Sequence, residues 1–285
     1  VNGPPFLLAV DGTGLLVRCC RAPRSRDLFA SDGTPTGALM MFIASLSRTV
    51  KLIQPSHLLV AWDGTGCLDW RREIYPPYKR RSKGFDFGSS GFSQAVEFLA
   101  TAGIPQRRIA GFEADDILAA VARSPRAGLG IVLASEDADL LQLAGWSEIL
   151  RGYLMWDAGD VLARYGVPPS RMTMLRALAG DRSDGIAGVP RVGLARAVKM
   201  LKTAQFQWPL PTAVLPSREH RDLADACYRV MDLIDPERRP EESPLFDVNM
   251  TDCAWNPPDH AKVLPLLERY ELRAIAERSR LGNLW

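Results

Sequence analysis

The chain has 285 residues, of which 47% are apolar and 24% charged, with 35 Lys and Arg against 33 Asp and Glu. This is the composition of a folded protein; it excludes a disordered or fibrous chain, and the length allows one large domain or two small ones, each able to bury a core. Five cysteines, odd in number and without a C-x-x-C pair, suggest neither a disulfide framework nor a cysteine zinc site, which fits a reducing cytoplasm.

The N-terminal VNGPP has no basic leader region, and the longest apolar stretch, Gly37 to Leu46, is too short to span a bilayer. A cytoplasmic protein is therefore expected, with no membrane partner. FLLAV (Phe6 to Val10), HLLVAW (His57 to Trp62) and GIVLAS (Gly130 to Ser135) are continuous apolar runs of strand length and read as buried parallel strands. Helical patterns lie between them, at Thr36 to Ile53, Gly91 to Ala102 and Ala114 to Arg123, so the fold class is α/β with a doubly wound parallel sheet. After Arg151 the pattern turns all-helical, with Asp157 to Tyr165, Pro169 to Ala179 and Leu194 to Leu201 as the clearer segments and Leu266 to Arg278 as one or two closing helices. The Pro-rich stretches from Trp208 to Pro216 and from Pro236 to Pro244 read as surface connections. Asp11-Gly-Thr-Gly and Asp63-Gly-Thr-Gly both follow a strand, a likeness for which chance is an adequate account.

Local charge carries more information than the total. In open parallel sheets the functional crevice lies beyond the carboxyl ends of the strands. Asp11 and Asp63 end the first two strands, Asp137 and Asp139 follow the third, and Glu113, Asp115 and Asp116 open the helix before it. Any one of these acids could be a helix cap or a turn former. Seven carboxylates on one rim, however, repel one another until some protonate or cations bind, and hard oxygen donors without nearby His or Cys select Mg²⁺ or Mn²⁺. Asp181 and Asp184 add two more in AGDRSDGIAGVPRVG, where the run from Gly185 to Gly193 suggests a tight hairpin with exposed amides that grips a phosphate, or a plain helix-turn-helix connection. From Arg71 to Lys83 stand six cations and one anion, interleaved with Tyr75 and Tyr78 and preceded by Trp70. Such a block is a solvated loop or a surface for single-stranded nucleic acid. The Gly-rich GFDFGSSGF after it suggests a mobile basic arch over the acids. His57, His220 and His260 show no metal spacing, and Trp146, Trp156, Trp208, Trp255 and Trp285 read as packing residues.

These motifs resemble the 5′-nuclease or flap endonuclease family in its stand-alone bacterial and phage form: LLAVDGTGLLVR, LLVAWDG, WRREIYPPYKRRS, GFEADDILA, ASEDADLLQL and AGDRSDGIAGVPRVGLARA. The resemblance covers almost the whole chain. It implies a PIN-like α/β nuclease core over residues 1–155, with a helical arch at 68–92, and an all-helical DNA-binding subdomain over 156–285, with a helix-three-turn-helix near 176–202. It also implies two-metal hydrolysis of phosphodiesters in branched DNA (5′ flaps, nicks, gaps or RNA-primed ends), leaving 5′-phosphate and 3′-hydroxyl. The setting would be Okazaki-fragment processing and repair, by a nucleoid-associated monomer with a functional link to a polymerase and a ligase. Two or more Mg²⁺ or Mn²⁺ ions would be held by Asp11, Asp63, Glu113, Asp115 and Asp116 and by Asp137, Asp139, Asp181 and Asp184. Lys79, Asp116 and Asp139 would be catalytic. DNA would be bound by Arg71, Arg72, Tyr78, Lys79, Arg80, Arg81, Lys83, Gly188, Val189, Arg191 and Gly193. The chain departs from the family pattern at Ser82, where relatives carry Arg, and at Gly185, Ala187 and Arg191, where they carry Asn, Pro and Gly. A K⁺ on the hairpin carbonyls is the corresponding expectation there.

Three other readings stand beside this one. A PIN-type ribonuclease is also acid-rich and α/β, but it is shorter and needs no hairpin after Asp184. A catalytically silent DNA-binding protein would gain nothing from nine acids that repel phosphate. A haloacid dehalogenase phosphatase, suggested by Asp11-Gly-Thr, needs an Asp at position 13, where this chain has Thr.

Overall fold

The computed structural model describes residues 5–80, 91–124, 128–203, 208–233, 250–258 and 260–285. Arg81, Ser82, Lys83, most of the Gly-rich stretch and the Pro236 to Pro244 connection lie outside the described residues. The order begins β1 (Phe6–Asp11), α1 (Gly12–Arg21), α2 (Gly37–Ile53), β2 (His57–Trp62), α3 (Asp69–Ile74), α4 (Phe92–Thr101), β3 (Gln106–Arg108), α5 (Ala114–Arg123) and β4 (Gly130–Ala134). It continues with β5 (Glu148–Arg151), β6 (Leu154–Trp156), α6 (Ala158–Tyr165), α7 (Met172–Ala179), α8 (Leu194–Thr203), α9 (Arg218–Met231), α10 (His260–Arg269) and α11 (Arg273–Arg280).

The six strands form one sheet in the order β3-β2-β1-β4-β5-β6, parallel except for β6, which folds back antiparallel on β5. Strands β1 and β2 each bury five consecutive residues, as a parallel strand covered on both faces must. Successive side chains alternate between two cores. Leu7, Ala9, Leu59 and Ala61 face α5 and α7, whereas Leu8, Val10, Leu58, Val60 and Trp62 face α1, α2 and α4. Helix α2 buries Leu39, Phe42, Ile43, Leu46 and Val50 at helical spacing and ends on Gln54 in the left-handed region.

The apolar and helical patterns did not anticipate α1, α3, β3, the β5–β6 hairpin or α9. Strand β6 is a correction to the all-helical reading after Arg151; Leu154 and Met155 point outward on this edge strand, so no buried apolar run marks it. The stretch from Trp208 to Pro216 is a second correction. Leu210 and Leu215 are buried in the main core, and Trp208 stacks on Tyr228 of α9 at 4.4 Å. The last helices return to the sheet, with Val263, Leu267, Ile275 and Leu284 buried in the cluster that contains α2 and α4. Among the described residues no helix is long and apolar enough to cross a membrane.

Candidate active site

The sequence around Asp11 shows how one carboxylate is set. Asp11 ends β1 and caps α1, accepting a hydrogen bond from the Gly14 amide at 2.7 Å and another from the Ser135 hydroxyl at 2.9 Å. A Cβ at Gly14 would lie 2.2 Å from that carboxylate, and one at Gly12 would lie 2.5 Å from Val60 of β2, so both glycines are steric requirements. Thr13 completes the turn by accepting the Asp63 amide at 2.8 Å, which ties the ends of β1 and β2 together. Asp63 in turn accepts the Ala114 amide at 2.8 Å, at the start of α5. A Cβ at Gly64 would sit 1.7 Å from the Ile109 carbonyl oxygen, which explains the glycine after Asp63.

Helix α5 carries the next three acids. Glu113 and Asp116 are buried, and Asp116 accepts the Glu113 amide at 2.9 Å. Two cations hold Glu113. The Lys79 ammonium lies 2.7 Å from Oε1, while the Arg71 guanidinium, at 2.7 Å, and the donating Tyr78 hydroxyl, at 3.0 Å, reach Oε2. Arg71 also clasps Asp116 with two bonds of 2.9 and 2.7 Å. Asp115 is left differently: its Oδ1 is buried and accepts no hydrogen bond among the described residues. Beyond β4, Asp137 accepts the Asp139 amide at 2.8 Å, and Asp139 lies 2.9 Å from Arg176 of α7. Arg176 pairs also with Asp181. Asp181 and Ile186 close a short bridge, and the Lys79 amide donates to the Asp184 carbonyl at 2.7 Å, so the base of the expected arch and the expected hairpin are joined directly.

Burial dominates the electrostatics of this cluster. It pushes Asp63 up to about 7, with help from the Glu113 and Asp11 carboxylates. Asp139 is likewise raised to about 7 by burial, against the pull of Arg176. Asp11 and Asp184 are raised by burial, and Asp115 well above its ordinary range by burial and then by Asp137 and Asp11. Burial acts against the charged form of Lys79, but Glu113, Tyr78 and Asp184 outweigh it and hold the ammonium. All nine acids therefore gather around the ends of β1, β2 and β4, on α5 and at the hairpin. Hard oxygens that repel one another, with Asp115 Oδ1 and Asp184 Oδ2 buried without a hydrogen-bond donor among the described residues, are the donor set a divalent cation suits. As the side chains stand, no three His, Cys, Asp or Glu among the described residues close around one point to hold a metal ion; Arg71, Lys79 and Arg176 reach the oxygens instead.

An open groove of about 860 Å³ runs from Asp11, Asp137 and Asp181 past Arg18, Arg151 and Tyr153. Several residues expected to face DNA lie elsewhere. Arg71 and Tyr78 are 2% and 3% exposed, because their polar ends are consumed by Glu113 and Asp116; they line the protein interior. Gly188 and Val189 are also buried. The hairpin amides of Ile186, Ala187, Val189 and Val192 are donated to Asp181, the Tyr75 hydroxyl, Leu178 and Val189, so they do not grip a phosphate. Arg80, Arg191 and Gly193 are exposed, and Arg72 is half-buried, holding the Tyr78 and Lys79 carbonyls. Sequence reasoning missed Thr13, Ser135, Gln142 and Arg176. The signal for Arg176 was present, a lone cation inside the apolar MTMLRALA.

Comparison with known proteins adds a separate line of observation. The family described as 5′-3′ exonuclease, N-terminal resolvase-like domain, matches residues 6–166. A 5′-3′ exonuclease of Aquifex aeolicus is 31% identical over 201 residues, 69% of this chain and 68% of that protein. DNA polymerase I of Rhizobium leguminosarum is 31% identical over 215 residues, and that of Bacillus caldotenax 28% over 295 residues. The chain spans 20% and 32% of the length of these two polymerases. Among solved structures, a bacteriophage T5 5′-exonuclease mutant matches with a TM-score of 0.63 at 20% identity, over 93% of this chain and 98% of that one. The catalytic core of Rad2 in complex with DNA matches at 0.53 and 15%, over 94% and 88%. At these identities the structural likeness establishes the fold, the PIN-like arrangement of a mostly parallel sheet flanked by helices.

Proposed function

Because the chain belongs to the 5′-3′ exonuclease family, whose pattern matches more than half of its length, we propose that it is a divalent-metal-dependent nuclease that removes 5′ flaps and 5′ ends from branched DNA. One observation carries the reading. The acids at the ends of β1, β2 and β4 share a rim with the hairpin after α7, and the Lys79–Asp184 backbone bond of 2.7 Å fastens that hairpin to the base of the arch. A duplex held by the hairpin is thereby placed beside the carboxylates.

The roles follow the family resemblance, and the gathering of the acids on one rim supports them. Asp11, Asp63, Glu113 and Asp115 on one side, and Asp137, Asp139, Asp181 and Asp184 on the other, would hold two ions of the Mg²⁺ or Mn²⁺ type. Such ions supply activation of a water and stabilisation of the leaving oxygen in an in-line displacement. Lys79 sits at the rim with its charge maintained, and offers that charge to the scissile phosphate. Arg80, Arg191 and Gly193 contact phosphates from outside, with Arg81 and Lys83 assigned to the same task by the resemblance. A K⁺ on the hairpin carbonyls, a division between residues 1–155 and 156–285, and work beside a polymerase and a ligase in replication and repair belong to the same proposal.

The test is incubation with a 5′-labelled flap duplex in Mg²⁺, Mn²⁺ or EDTA, beside an Asp139→Ala control and a single-stranded RNA of equal length. Metal-dependent cutting near the junction, lost in the variant and weaker on RNA, is expected. Preference for the RNA would favour a PIN-type ribonuclease, and tight flap binding without cutting would favour a binding protein.

A further inference from the structure

The end of α9 touches both halves of the acid cluster through two buried side chains. On one side Arg71, 2% exposed, donates from Nε to the Val230 carbonyl at 2.9 Å while its two terminal nitrogens hold Asp116 and Glu113. On the other side Gln142, also 2% exposed, donates from Nε2 to the Asp139 carbonyl at 2.8 Å and to the Met231 carbonyl at 3.0 Å. Its Oε1 accepts the Thr173 hydroxyl and the Leu233 amide, both at 3.0 Å. The last carbonyls of a helix have no partner within it and form the negative end of its dipole. Here they are met by a guanidinium and an amide that also grip the two acid-bearing segments. Both side chains have their hydrogen-bonding groups engaged, so neither can turn toward a ligand without leaving buried groups unpaired.

We propose that the C-terminal end of α9 is a positioning element for catalysis, setting the Glu113 carboxylate through Arg71 and the Asp139 loop through Gln142. On this assignment Arg71 acts through Glu113 and does not contact DNA. Asp116 orients Glu113 by fixing both its amide and Arg71. The inference rests on the nuclease reading above and adds to it that the end of α9, from Val230 to Leu233, supports the cutting centre.

The experiment uses the full chain with Arg71→Lys and Gln142→Leu. Lys keeps the charge but cannot reach Asp116, Glu113 and Val230 together. For Arg71→Lys, flap cleavage should fall in kcat by about 10²-fold, the scale of a slightly misplaced group. KM, duplex Kd and the salt dependence of Kd should stay within twofold. A DNA contact would instead raise Kd and lower the salt slope by about one, and that result would overturn the assignment. Hydrogen exchange on the metal-free protein supplies the second readout. Arg71→Lys should speed exchange both around Glu113 and at residues 228–233, and Gln142→Leu both around Asp139 and at 228–233. Faster exchange confined to α3, or no change at 228–233, would overturn the coupling. Should Gln142→Leu not fold, the near-isosteric Thr173→Val loosens the same amide through one bond. A wild-type chain that fails to cut would overturn the nuclease reading, and the exchange pattern would still decide the coupling.

Discussion

Replacing Asp63 by Asn should stabilise the metal-free protein while removing its activity. The side chain is set by a single backbone donor, the Ala114 amide, which an Asn oxygen can also accept. What Asn removes is the charge. Asp63 is raised from 3.8 to about 7, so at pH 8 the ionised group opposes folding by about 4 kcal/mol at 1.36 kcal/mol per unit. The sign follows from linkage. A carboxyl with a raised folded-state pKa leaves stability intact below the unfolded value near 4, and stability is lost as pH climbs through the folded value near 7. Neighbouring acids take up part of the released proton affinity, so a gain of about 2–4 kcal/mol at pH 8, or roughly 5–10 °C in Tm, is expected. Unfolding in urea with EDTA at pH 4, 6 and 8 measures it. The gain should be near zero at pH 4 and reach its full size above pH 7. Saturating Mn²⁺ should reverse the ranking, since the complete wild-type acid set binds the ions more tightly and gains more binding free energy in the native state. Equal stabilisation at all three pH values, or none at pH 8, would refute the argument that burial and repulsion, and not a lost contact, govern this residue.

Lys79→Ala should slow flap cutting by about 10²-fold or more, with duplex Kd nearly unchanged, as measured by single-turnover kinetics beside a binding titration; a large loss of duplex affinity would contradict its assignment to the scissile phosphate. Gly188→Ala places a methyl 2.3 Å from the Gly180 amide at φ +68°, so destabilisation of at least about 2 kcal/mol in thermal unfolding and weaker duplex binding are expected. Arg191 is exposed and carries a positive φ of 63°. Arg191→Gly should leave stability equal or higher by up to about 1 kcal/mol, while the slope of log affinity against log salt falls by about one. Affinity for duplex should drop steeply with salt throughout, which a titration at 50 and 200 mM would show.

Strands β1, β2 and β4 were legible because they are short, apolar runs bounded by Gly, Pro and Asp, and the acids were legible because strand ends in a parallel sheet are where side chains converge. Strand β3 escaped notice because it is three residues of Gln and Arg on an edge, where hydrogen bonding and not burial makes the strand. Helix α9 was missed because its core face is only Ala224, Cys227, Val230 and Met231 within a strongly charged REHRDLADACYRVM. Arg71 and Tyr78 illustrate a different limit. In the sequence they belong to a basic, aromatic block, and nothing local distinguishes a cation facing solvent from one folded inward; only the position of Glu113 and Asp116, some forty residues later, decides it. The two Asp-Gly-Thr-Gly segments looked like coincidence, and each glycine after the acid has its own steric cause, Val60 for one and Ile109 for the other.

The bonds from Arg71 and Gln142 to Val230 and Met231 also bear on the order in which a ribosome would deliver this protein. Synthesis runs from the N-terminus, and domains begin to fold as they emerge. All six strands have emerged once residues up to about 156 are out, yet on the proposal above Glu113 and the Asp139 loop would remain without their clamp until α9 has followed. A nascent chain would thus pass through a stage in which the strands are present and these acids are unclamped, and on the nuclease reading full activity would be withheld until synthesis has gone beyond residue 233.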